Sequence, residues 1–158
     1  MKSRSTVDIA DLVGPVGGNV DEAKLTLGIY GRDLDPRELS VTMECEPTSS
    51  YRRGDRRING LEPWPNGAWL LILEGRRPTT PDQLVGALMK KVRHEAGFWD
   101  ELRSRYTVRI SLAIFVVQWT SGFELAPSSV AFLSNTGAKF GLTVYAEVEP
   151  EDDASEVS

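Results

Sequence analysis

Between positions 51 and 57 the chain reads Tyr51-Arg52-Arg53-Gly54-Asp55-Arg56-Arg57, four guanidiniums against one carboxylate, and Trp64 follows between Pro63 and Pro65. Arginine presents a planar fork of donors that matches carboxylate and phosphate oxygens. Tyrosine and tryptophan give large contact area at small entropic cost, and these three residue types dominate binding hot spots. The segment is therefore suited to recognising an acidic or phosphate-bearing partner. The opposing expectation is a solvated loop whose arginines pair with the protein's own acids, because exposed pairs contribute little. Gly54-Asp55 is turn chemistry, and Asp55 could also orient Arg53 or Arg57 through a charge-assisted bond.

Catalytic patterns are much weaker. His94 is the only histidine and Cys45 the only cysteine, which removes Cys-rich zinc sites, two-histidine metal sites, iron–sulfur clusters and any internal disulfide. His94 lies between Arg93 and Glu95, off the apolar stripe of its helix, and reads as solvated. Cys45 precedes Glu46 in acidic surroundings that disfavour a thiolate. The glycine-rich run from Gly14 to Asn19 lacks a preceding strand and the Gly-Lys-Ser/Thr ending of a phosphate loop, and no Gly-x-Ser-x-Gly elbow occurs. We therefore assign no catalytic residue, no metal and no cofactor. Among the four tryptophans, Trp99 falls on a helical apolar stripe and reads as core, while Trp69 opens a strand and reads as half-buried. Trp119, after Gln118 at the end of a strand, either lines a concave site at the sheet rim or packs against the first strand. The candidate binding residues are Tyr51 to Arg57, Trp64, Trp69, Gln118 and Trp119.

The elements that position these residues follow from periodicity. Lys24 to Tyr30 alternates, with Leu25, Leu27 and Ile29 on one face of a strand. Asp35-Pro36 starts a short helix toward Cys45, with Glu38 at the capping-box position. Ala68 to Glu74 is a second strand, and apolar residues recur at three and four from Thr80 to Tyr106 in one long helix, with a bend expected at Gly97. Thr107 to Trp119 is apolar and β-branched on both faces, as in a central strand. Pro127 to Asn135 is a helix ended by Gly137, and Phe140 to Val148 is a fourth strand. The expected fold is α+β, a four-stranded, mostly antiparallel sheet of ferredoxin-like split βαβ type, with an extra long helix between strands two and three and helices on one face only. Leu25, Leu27, Ile29, Ile110, Leu112, Ile114, Leu142 and Val144 would then face the helices. The other face would be aromatic, carrying Tyr30, Phe115, Val117, Trp119, Thr143 and Tyr145, and either a long loop or the N-terminal arm covers it or it is a dimer or partner surface.

With 158 residues the chain suits one domain. We expect a flexible arm over 1–23, one domain over 24–148 and a disordered acidic tail over 149–158. The tail follows from six acids and no base after Ala146. The net charge of −5 argues against general binding to nucleic acid or anionic membranes. On the strands themselves only Lys24 and Arg109 are positive, too few for an RNA-stacking sheet. No apolar stretch approaches a membrane span, and no secretory signal is visible at the start, so a cytoplasmic setting is expected.

Several short segments occur in order: Leu27-Gly-Ile-Tyr-Gly31, Glu46-Pro47-Thr48, Arg53-Gly54-Asp55, Gly67-Ala-Trp69, and Gln118-Trp119 followed by Gly122-Phe123-Glu-Leu125. Together they resemble the bacterial family catalogued as domain of unknown function 4279, from about Lys24 to Tyr145. The resemblance implies a small cytoplasmic bacterial α+β domain with no established reaction, and its motif positions are Pro47, Thr48, Gly54, Asp55, Trp69, Trp119, Gly122 and Phe123. The arginines around Gly54 exceed the family pattern, so a role for them would be particular to this protein.

Three functions are carried forward. The leading one is a non-catalytic module that binds another protein, an acidic one if the arginine loop is the contact, with a toxin-neutralising immunity-type role as its concrete form. The second is a small anionic-ligand-binding protein or enzyme using loop 51–57 near Trp119. The third is a homodimer joined through the open sheet face around Tyr30, Phe115, Val117 and Tyr145.

Overall fold

The computed structural model describes residues 20–117 and 121–147. Its centre is β1 (Glu22–Gly31), where Ala23, Leu25, Leu27 and Ile29 are buried and the residues between them point to the other side. This strand starts earlier than Lys24, and Val20 is already part of the core. Strand β1 pairs antiparallel with β3 (Gly67–Arg76) on one side and with β4 (Thr107–Val116) on the other. A short strand, β2 (Ser49–Tyr51), edges β3 antiparallel, and β5 (Lys139–Ala146) edges β4 in parallel. The sheet therefore has five strands in the order β2-β3-β1-β4-β5 and is mixed, which corrects the expected count of four. With only three residues, β2 is too short for alternation to reveal it.

Helix α1 (Pro36–Met43) begins where Asp35 accepts a 3.0 Å bond from the Arg37 backbone N–H and ends at Glu44, which takes the left-handed conformation at φ 54°. The expected long helix is instead two, α2 (Pro81–Lys91) and α3 (Ala96–Arg105). Its break lies at 92–95 rather than at Gly97. Val92 is extended yet buried there, so the apolar spacing runs on through the gap and hides it. The gap is held by side chains: the Trp99 indole N–H donates to the Arg93 carbonyl at 2.8 Å, and the His94 ring meets the Met89 carbonyl. Helix α4 (Pro127–Thr136) ends at Gly137, left-handed at φ 61°.

The core fills the space between these helices and one face of the sheet, with Trp69, Trp99, Leu27, Leu88 and Ile110 almost fully enclosed. Helix cover stops at β4. Leu142 and Val144, expected to be buried, stand 50% and 54% exposed on β5, because they lie on an edge strand beyond the helical layer. No described helix is long and apolar enough to cross a membrane.

Candidate binding site on the open sheet face

Strand register sets out the face away from the helices row by row. At one end Tyr51, Ala68, Tyr30 and Thr107 align across β2, β3, β1 and β4. The next row carries Ser49, Leu70, Gly28, Arg109 and Lys139, and the rows beyond carry Ile72, Thr26, Ser111 and Gly141, then Glu74, Lys24, Ala113 and Thr143. The far end holds Phe115 stacked on Tyr145, with ring centroids 4.8 Å apart, and exposed Val117 just past β4. The face is thus aromatic only at its two ends. Its middle is aliphatic, small or polar, with Leu70 and Ile72 as its large apolar residues, which corrects the expectation of a continuous aromatic surface.

Gly28 shapes the first end. A Cβ at this position would fall 2.5 Å from the Tyr30 hydroxyl and 2.7 Å from its ring, so the phenol lies along its own strand over the glycine. Arg109 is the residue paired with Gly28 across β1 and β4, and the phenol is therefore laid beside it. Ala68, between Tyr51 and Tyr30 in the same row, leaves room for both rings.

The basic loop supplies the second wall. Gly54 takes φ 88°, and the Asp55 backbone N–H donates to the Arg52 carbonyl at 3.1 Å, closing a tight turn. The Asp55 carboxylate accepts from the Arg52 backbone N–H at 2.8 Å, so its role is to cap the turn and not to orient Arg53 or Arg57. Gly54 N–H donates to the Trp64 carbonyl at 2.8 Å, and Trp64 N–H donates to the Asp55 carbonyl at 3.1 Å. This reciprocal pair ties Trp64 to the turn, where it stacks on Tyr51 at 3.8 Å and 12°. The Arg57 guanidinium carbon also lies 3.8 Å from the Trp64 ring. Two groups at that height would overlap on one face, so Trp64 is sandwiched between Tyr51 and Arg57.

Tyr30, Tyr51, Arg57, Trp64, Pro65, Asn66, Thr107 and Arg109 enclose a shallow concavity of about 330 Å³. Its lining holds two guanidiniums and no carboxylate. Neither arginine has a carboxylate partner among the described residues. Arg57 Nε is shut off from solvent and has no acceptor among the described residues. Burial raises the Tyr51 pKa above its ordinary value, with Tyr30 adding to the effect and Arg57 opposing it, so the phenol stays neutral and able to donate.

The other loop arginines behave as the solvated alternative expects. Arg52 pairs with Asp35 at 2.8 Å and Arg53 with Asp33 at 3.7 Å, and Arg56 is exposed. Arg52, Asp55 and Tyr51 border a separate depression of about 280 Å³ beside Pro36. Trp69 belongs to neither concavity. It is fully buried on the helix side and donates its indole N–H to Ser40 Oγ at 3.0 Å, so the binding role expected for it is replaced by a core one. Gln118 and Trp119 lie outside the described residues. Arg109, Thr107, Pro65 and Asn66 were missed from sequence, and only the pairing of Gly28 with Arg109 could have pointed to the first of them. No group of three potential metal ligands occurs among the described residues.

The chain matches no curated protein and no solved structure. A family model does match, over residues 21–147, slightly more than the span expected from the short segments. The chain therefore belongs to the family described as domain of unknown function DUF4279.

Proposed function

We propose that the protein is a non-catalytic binding module that docks an acidic partner protein on the open face of its sheet. The observation that carries this reading is the Tyr51–Trp64–Arg57 stack beside Tyr30 and Arg109, an acid-free lining on a chain of net charge −5. Aromatic rings and guanidiniums held in place before binding lose little entropy on contact, which is what makes them hot spots. An immunity-type role, neutralising a toxin by forming a stoichiometric complex, is the concrete form of this reading. A bacterial cytoplasmic setting accompanies it, supported by the lone Cys45 and hence the lack of any internal disulfide. We read β1 to β4 as a ferredoxin-like split βαβ core, supported by β1 and β2 running in the same direction on either side of β3, with β5 appended.

A second reading, a small anionic ligand in the same concavity, is favoured by its volume, which is at the lower end of the roughly 300–1,000 Å³ usual for ligand sites. The docking reading is tested by partner capture from host lysate with wild type, an Arg57→Glu/Arg109→Glu variant and an Arg52→Glu/Arg53→Glu variant. It expects one protein retained by wild type and by the second variant but lost from the first. Equal retention by all three, or retention by none, contradicts it.

A further inference from the structure

We propose that the concavity between Arg57 and Arg109 is a site for a dianionic oxyanion, a phosphate monoester group, carried on a planar ring. The inference rests on the open-face site of the preceding section and names its chemistry. Within one short loop Arg52 and Arg53 pair with Asp35 and Asp33, whereas Arg57, which lines the concavity, has no acid partner among the described residues. Arg109, on β4 with two strands between it and the loop's own strand, likewise has no acid partner among the described residues and lines the same concavity. A single carboxylate would compensate only one of these two charges. A phosphate monoester carries about −1.5 to −2 at pH 7 and compensates both.

The remaining groups fit the same ligand. The Tyr30, Tyr51 and Thr107 hydroxyls and the Asn66 amide are neutral donors for the other phosphate oxygens. A phenol is already protonated at neutral pH, and burial raises the Tyr51 pKa further, so its hydroxyl remains a donor. The Tyr30 and Tyr51 rings offer flat apolar surface for a ring on the ester oxygen. Guanidinium–phosphate contacts are commonly bidentate and about twice as strong as neutral hydrogen bonds, so two arginines can fix both the position and the orientation of the group.

The test is calorimetric titration of the full chain with phenyl phosphate, with inorganic phosphate and benzoate as comparison probes. Phenyl phosphate is expected to bind saturably and at least tenfold tighter than either. Its affinity is expected to fall between pH 7.5 and pH 5, as the dianion takes up a proton near pH 6 and becomes a monoanion. Arg109→Gln changes an exposed strand position that supports no core contact, and it is expected to weaken phenyl phosphate at least tenfold with unchanged thermal stability. Absence of heat up to 20-millimolar phenyl phosphate, or equal affinity of wild type and Arg109→Gln, overturns the proposal. If phenyl phosphate fails while partner capture still depends on Arg57 and Arg109, the oxyanion inference alone falls. If both fail, the docking reading falls with it.

Discussion

Asp82 sits on α2 but caps a different helix. Its Oδ1 accepts from the Ser129 hydroxyl at 2.7 Å and from the Ala126 backbone N–H at 2.9 Å, and α4 has no side-chain cap of its own at Ala126. Replacing Asp82 by Ala leaves the Ser129 hydroxyl, 3% exposed, without its acceptor, a cost of about 1–3 kcal/mol. It also removes the cap, about 0.5–2 kcal/mol. The expected loss is about 2–4 kcal/mol, or roughly 5–15 °C in Tm for a domain of this size. Asp82→Asn keeps an acceptor oxygen but loses the charge, so it is expected to cost about half as much. The Ser129 hydrogen bond, then that of Ala126, lowers the Asp82 pKa against the opposing effect of burial. The stabilisation is therefore present above about pH 4 and is lost as the pH falls through the lower folded-state pKa. Urea unfolding of wild type, Asp82→Ala, Ser129→Ala and the double variant at pH 7 and at pH 3 reads both effects. A loss below about 0.5 kcal/mol, or an equal loss from Asp82→Ala with and without Ser129, would refute the reasoning.

Gly28→Ala places its Cβ against the free end of the Tyr30 ring, which can swing away, so urea stability should change by less than about 1 kcal/mol. Losing the phenol's hydrogen bond should weaken phenyl phosphate by about 2- to 12-fold in the same titrations, the equivalent of roughly 0.5–1.5 kcal/mol. Alkaline titration at 295 nm should show a component that ionises above the ordinary phenol range, and Tyr51→Phe should remove it. Because the Tyr51 pKa is raised, its contribution to stability is present below about pH 10 and is lost as the pH rises through the folded value. Trp69→Phe removes an enclosed indole and its bond to Ser40, so it should cost less than the roughly 3–5 kcal/mol of truncation to Ala while leaving phenyl phosphate affinity unchanged.

The legible parts of the fold were those with a long, one-sided pattern. Alternation in β1 and β4 identified Leu25, Leu27, Ile29, Ile110, Leu112 and Ile114 as core, and Pro36 and Gly137 marked a helix start and a helix end correctly. The α2–α3 break escaped because Val92 keeps the apolar rhythm through it. Leu142 and Val144 misled because alternation reports which side a residue faces, and not whether anything covers that side. Residue type alone grouped Tyr51, Arg57 and Trp64, which line one concavity, with Arg52 and Arg53, which pair with Asp35 and Asp33, distant in sequence. Arg109 joins them only through the pairing of β1 with both β3 and β4, information that no local window contains.

The central claim is that binding resides in Arg57 and Arg109 at the open face and not in the basic run as a whole. The most direct measurement is the NMR spectrum of the arginine Nε–Hε groups in the labelled full chain during titration with phenyl phosphate, with Arg57→Gln and Arg109→Gln variants used to assign the peaks. The account predicts saturable shifts of the Arg57 and Arg109 resonances, while those of Arg52, Arg53 and Arg56 stay in place. Shifts confined to the latter three, or a spectrum unchanged at saturating probe, would contradict it.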